Sequence, residues 1–141
     1  MKTVSTALTA LFLLAACAAP TPVADNAAVQ TAPDTHNARN ALDWAGTYQG
    51  TLPCASCSGI ATTLTLLDNG QYRLREDYLD NPQSVFDSNG TFSWNAAGNT
   101  ITLFGDGRSY FVAENQLIAL SQDGSRVRGE LADAYILQKT R

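Results

Sequence analysis

The stretch that decides the fold runs from Gly46 to Leu67 and reads Gly-Thr-Tyr-Gln-Gly-Thr-Leu-Pro-Cys-Ala-Ser-Cys-Ser-Gly-Ile-Ala-Thr-Thr-Leu-Thr-Leu-Leu. Its first arm puts Tyr48, Gly50 and Leu52 on one parity. Its second puts Ile60, Thr62, Leu64 and Leu66 on one parity. Alternation of period two, bounded by Pro and Gly, marks half-buried strands. The two arms therefore read as neighbouring strands, joined by a compact loop that carries Cys54 and Cys57. Two thiols held this close are a disulfide, a metal clamp or a redox couple, and choosing among these requires the compartment.

The same punctuated alternation continues outward. It predicts strands over Trp44–Leu52, Ile60–Leu67, Gln71–Leu79, Val85–Trp94, Thr100–Phe104, Arg108–Glu114, Gln116–Leu120 and Tyr135–Lys139. Asn69-Gly70, Asp80-Asn81-Pro82, Gly105-Asp106-Gly107 and Asp123-Gly124 supply turns between them. About eight short strands and no amphipathic helix predict an all-β fold, an antiparallel meander closing into a barrel or half-barrel. Such closure removes sheet edges and can leave a cavity. Trp44, Tyr48, Tyr72, Phe86, Phe92, Trp94, Tyr110 and Phe111 read as barrel core. Glu76, Asp77 and Asp80 read as a solvated strand end.

The chain has 141 residues, enough for one domain, with 45% hydrophobic and 16% charged residues and a net charge of −4. Its basic residues are scattered. With no run of Lys or Arg to neutralise a row of phosphates, no nucleic-acid partner is expected, nor docking on an anionic membrane surface by charge. His36 is the single histidine. The usual Ser-His-Asp and Cys-His arrangements are thereby excluded, and no enzyme is expected.

Residues 1–16 read as a signal peptide. Lys2 precedes the apolar run Ala7–Ala16, which is too short to span a bilayer. Leu14-Ala15-Ala16-Cys17 resembles the bacterial lipobox. That resemblance implies cleavage before Cys17, diacylglycerol on its sulfur and acylation of the new amine. Ala18 follows, rather than the Asp associated with inner-membrane retention, which implies an outer-membrane anchor facing the periplasm. Residues 17–41, rich in Ala, Pro, Thr and Asn, read as a flexible tether, since they cannot bury enough surface to repay ordering. Residues 42–141 are the folded domain.

Tyr48-Gln49-Gly50-Thr51-Leu52-Pro53-Cys54-Ala55-Ser56-Cys57-Ser58-Gly59-Ile60 and the following Ala61-Thr62-Thr63-Leu64-Thr65-Leu66 resemble the N-terminal domain of the copper resistance lipoprotein NlpE family. Gly70-Gln71-Tyr72 and Gly90-Thr91-Phe92-Ser93-Trp94 agree with the same pattern. The resemblance implies a small lipocalin-like barrel on an outer-membrane lipid anchor, with roles in envelope stress sensing, surface contact and copper tolerance. An envelope stress-signalling protein is the implied partner. The family's best-known member carries a second, OB-like domain; a single domain is expected here.

An oxidising periplasm favours pairing of Cys54 with Cys57. A disulfide there closes a very short loop, so its entropic worth is small and a chemical role is the alternative to a staple. Two soft thiolates could instead hold copper(I), the one metal expected, whereas zinc would require four ligands. A redox sensor is the third reading. A thioredoxin-type oxidoreductase is not expected, because Gly59 and a strand pattern follow where a helix N-terminus is needed. Two further functions stay open: a lipocalin-like barrel holding a small apolar ligand, and a structural or adhesive surface lipoprotein.

Overall fold

The computed structural model describes residues 36–80 and 84–141. The signal segment, Cys17 and most of the expected tether lie outside the described residues. A short helix α1 (Ala38–Ala41) leads into β1 (Gly46–Leu52), β2 (Ile60–Leu66), β3 (Gln71–Tyr78), β4 (Val85–Trp94), β5 (Thr100–Leu103), β6 (Ser109–Ala113) and β7 (Gln116–Ala119). A 3-10 turn (Ala132–Tyr135) precedes β8 (Ile136–Lys139). Each strand pairs antiparallel with the next, and β8 returns to β1 through Tyr48↔Lys139 and Gln49↔Gln138. The result is a closed eight-stranded barrel, as the alternation predicts.

Inward parity and burial coincide. Tyr48, Leu64, Ile101, Leu103, Tyr110, Leu117 and Leu137 are fully buried along the barrel axis. Eight strands make an interior just wide enough for side chains to fill. Gly50 lets β8 approach β1: a Cβ there would meet Ile136 O at 2.7 Å.

The interior is not wholly apolar. Glu76, expected at a solvated strand end, is 6% exposed. Its period-two parity places it with Tyr72 and Leu74 on the inner face of β3. Arg108, the residue before β6, reaches it with both terminal nitrogens, Nη1 on Oε1 and Nη2 on Oε2 at 2.9 Å. Asp106 Oδ2 lies 3.1 Å from Arg108 Nε, off the line of a hydrogen bond. Burial alone would lower the Arg108 pKa, but the Glu76 carboxylate outweighs it and holds the guanidinium charged. Tyr110 buries its hydroxyl beside this group without a well-formed hydrogen bond.

Strand β4 departs most from expectation. It pairs with β3 along Val85–Thr91 but with β5 only through Phe92–Trp94. Tyr78 N donates to Ser84 O, and Phe92 N to Gly70 O, so even-numbered residues face β3. The odd-numbered Val85, Asp87 and Asn89 turn their backbone groups the other way. Thr91 O accepts from Phe104 N, and beyond it no strand flanks β4 among the described residues. Phe86 is consequently 58% exposed instead of joining the core, packed edge-on against Tyr78. Phe111 likewise faces outward, under the Arg126 guanidinium at 3.6 Å.

The folded part begins before Leu42. Asn37 Oδ1 caps α1 by accepting from Asn40 N, Arg39 N donates to Gly98 O, and Ala38 is buried. The last turn of the expected tether is thus docked on the barrel, because its cap and one small apolar side chain find partners in the β4–β5 turn.

Candidate functional site: the disulfide loop

Strand β1 delivers Leu52 to the core, and Pro53 ends it by removing a ladder donor. The chain then reverses through Cys54–Ser58 and re-enters the sheet at Ile60, which is paired with Leu52. Gly59 makes the return possible. Its φ is +154°, and a Cβ on it would meet Thr51 Cγ2 at 2.6 Å. Only glycine satisfies both conditions.

Within this loop Cys54 and Cys57 form a disulfide, with Cα atoms 5.3 Å apart. Both cysteines are half-buried, while Pro53, Ala55, Ser56 and Ser58 between and beside them are exposed. Cys57 Sγ lies 3.3 Å from Gly59 O. The bridge therefore rests on the sheet end with its rim open to solvent.

The loop is fastened to the neighbouring β3–β4 turn. Ser58 donates to Asp80 Oδ2 from both its backbone N, at 3.1 Å, and its hydroxyl. Leu79 N donates to Gly59 O at 2.9 Å. Asp80 makes these bonds from a left-handed backbone, φ +72°, which Asp tolerates better than most side chains. Leu79, Val85 and Phe86 are exposed at the same end of the barrel. A change at the disulfide is thus one hydrogen-bonded step from an apolar surface.

The two cysteines singled out by sequence are brought together, and Cys17 lies outside the described residues. Ser58 and Asp80 were missed as partners. The Asp80-Asn81-Pro82 turn signal marked the position, but nothing local says that the turn lies beside the cysteine loop. That proximity comes from the register of β2 on β3, Ile60 opposite Tyr78. Among the described residues no group of three or more His, Cys, Asp or Glu side chains is arranged to hold a metal ion. The disulfide itself offers no thiolate. A metal at Cys54 and Cys57 would need the reduced pair and a metal content with two ligands, which fits copper(I) and not zinc.

The barrel axis is occupied by Tyr48, Tyr110 and leucines and by the Glu76–Arg108 pair. The interior thus lends no support to a small apolar ligand held in the lumen.

Residues 48–130 match a family model described as NlpE N-terminal domain. A crystal structure of a Shewanella oneidensis protein classed as a lipoprotein is 49% identical, with a TM-score of 0.71, over 74% of this chain and 95% of that one. The crystal structure of the Cpx pathway activator NlpE from Escherichia coli is 30% identical, with a TM-score of 0.50, over 60% of this chain and 46% of that one. The match thus spans about half of the Escherichia coli structure. No curated protein sequence matches the chain at a significant level. With the matched segment covering the disulfide loop, most of β1 and all of β2 to β7, the chain belongs to the NlpE family, through its N-terminal domain.

Proposed function

We propose that this chain is a non-catalytic envelope-stress lipoprotein, anchored through Cys17 in the outer membrane and facing the periplasm, whose Cys54–Cys57 pair reports thiol and copper status. The observation that carries the reading is the position of the disulfide. It lies in a half-exposed loop tied by Ser58 to Asp80, a link that would carry a change in its state to the β3–β4 end. Closing so short a loop is worth at most about 2 kcal/mol. Reduction of the bond should therefore leave the domain folded, which suits a reporter rather than a staple. The similar Escherichia coli protein is a Cpx pathway activator, which supports a signalling partner of that kind here.

Copper enters through the reduced state. Once reduced, Cys54 and Cys57 would hold copper(I) through two thiolates, a soft-ligand site that zinc does not match.

The test is an envelope-stress reporter in cells producing the full chain, the Cys17→Ser chain, or the Cys54→Ser/Cys57→Ser chain, with and without copper. The anchored wild-type chain should raise the reporter and the double serine variant should lose its copper and reductant response. Fractionation should release the Cys17→Ser chain from the membrane. Equal responses from the wild-type and double serine chains would sink the cysteine part of the reading. Copper titration of the reduced chain checks the metal part: one equivalent bound by wild type, none by the double variant.

A further inference from the structure

At the barrel end opposite the disulfide loop lies an open groove of about 570 Å³, between α1, the β2–β3 turn and the end of β4. Both tryptophans of the chain, Trp44 and Trp94, line it, with Phe92 as its floor. A barrel of this size could have buried them. Instead each indole is half-buried and meets the other at 5.4 Å and 72°. Trp44 is fixed twice: its Nε1 donates to Arg39 O at 3.0 Å, and its own carbonyl accepts from the Tyr48 hydroxyl at 2.7 Å. The aromatic wall is therefore set before any ligand arrives, which lowers the ordering cost of binding.

Arg39 and Asp68 face the same groove. Both are exposed, and among the described residues neither forms an ion pair or a side-chain hydrogen bond, with each other or elsewhere. An aromatic wall flanked by polar groups, in a volume of several hundred Å³, suits a small ligand that is itself part polar and part apolar.

We infer that this groove binds a glycan of N-acetylated pyranose rings. The C–H face of a pyranose is flat and apolar and matches an indole, while its edge carries hydroxyls. An acetamido group presents one N–H donor and one C=O acceptor, which Asp68 and Arg39 complement in that order. Neither charge alone, nor a purely apolar ligand, uses the whole wall. The groove shares no residue with the disulfide loop, so this inference stands apart from the reading of Cys54 and Cys57.

The test is tryptophan emission of the full chain titrated with chitotetraose, a chain of four N-acetylglucosamine units, and separately with glycerophosphoethanolamine. Since both tryptophans lie in the groove, occupancy is read directly. Chitotetraose should give a saturable shift with a midpoint at or below about 1 mM. Asp68→Ala, an exposed change that leaves the core intact, should raise that midpoint at least tenfold, and Trp94→Ala should abolish the shift. Cys54→Ser/Cys57→Ser should leave it unchanged, so failure here and failure of the disulfide reading are separable. Absence of a shift, an Asp68→Ala midpoint equal to wild type, or a shift with glycerophosphoethanolamine alone would overturn the inference, the last in favour of a lipid headgroup.

Discussion

Arg108 grips Glu76 with both ends of its guanidinium inside the barrel, across the gap that β5 leaves beside β4. Removing one partner of such a pair leaves the other charge buried. Glu76 is nearly inaccessible, whereas the Arg108 side chain is 34% exposed and can recover some hydration. Glu76→Leu should therefore cost about 2–3 kcal/mol, below the range for a fully enclosed pair, and Arg108→Met the upper part of the same range. The double change Glu76→Leu/Arg108→Met should recover most of the loss. Urea unfolding of the three variants checks this; single variants within about 0.5 kcal/mol of wild type would show that the pair ties nothing together.

Two buried tyrosines should respond differently to losing a hydroxyl. Tyr48 donates to Trp44 O, so Tyr48→Phe should cost about 1–2 kcal/mol and loosen Trp44. Tyr110 has no well-formed bond to lose, so Tyr110→Phe should be neutral or stabilising. Thermal melts of the two variants side by side decide it.

The same tyrosines set an alkaline limit. Burial, assisted by Asp43, pushes Tyr48 up to about 12, and burial pushes Tyr110 up to about 12. Each pKa is raised in the folded state, so each contribution is complete below pH 10 and is lost as pH climbs from there towards 12. Stability should fall across that window by up to about 1.4 kcal/mol per pH unit for each tyrosine. Tyr110→Phe should make the slope shallower by its own share. A flat stability curve between pH 10 and 12 would contradict the burial of both hydroxyls.

The fastening of the cysteine loop predicts a graded series. Asp80→Asn keeps a side-chain acceptor and tolerance of positive φ, and should be nearly silent. Asp80→Ala loses both Ser58 bonds and should cost about 1–2 kcal/mol. Gly59→Ala combines a forbidden φ with a collision against Thr51 and should cost more than about 2 kcal/mol. Amide exchange at Ser58 and Leu79 should accelerate in the last two. Protection unchanged in Asp80→Ala would mean that the loop holds its shape alone.

What could be read from sequence followed local chemistry. The period-two pattern of Ile60–Leu66 and the Pro-Gly brackets of the cysteine loop specify strand, turn and facing without outside help. Glu76 was misread because three acids close together resemble a solvated end, although its parity already placed it beside Tyr72 and Leu74. Its partner Arg108 lies far along the chain, just before β6, and only the folding of the sheet brings the two together. Phe86 was misread for the complementary reason. Its parity is inward, but β5 is too short to cover it, and strand length on a neighbour is not written in the strand itself. The link between Ser58 and Asp80 likewise depends on register between two strands.

The open half of β4 has a consequence for how copies of the chain meet in solution. Val85, Asp87 and Asn89 turn their backbone groups to a side where no described strand pairs with them, and such an edge is a template for another strand. Two copies joined there about a twofold axis would set Asp87 against Asp87, since the middle residue of Val85–Asn89 is its own counterpart. Arg75 lies 3.0 Å from Asp87 within each chain and offsets part of that charge, while both side chains stay largely exposed. Like charges directly opposed destabilise a sheet. By this reckoning Asp87 disfavours edge pairing along the stretch of β4 that no described strand covers.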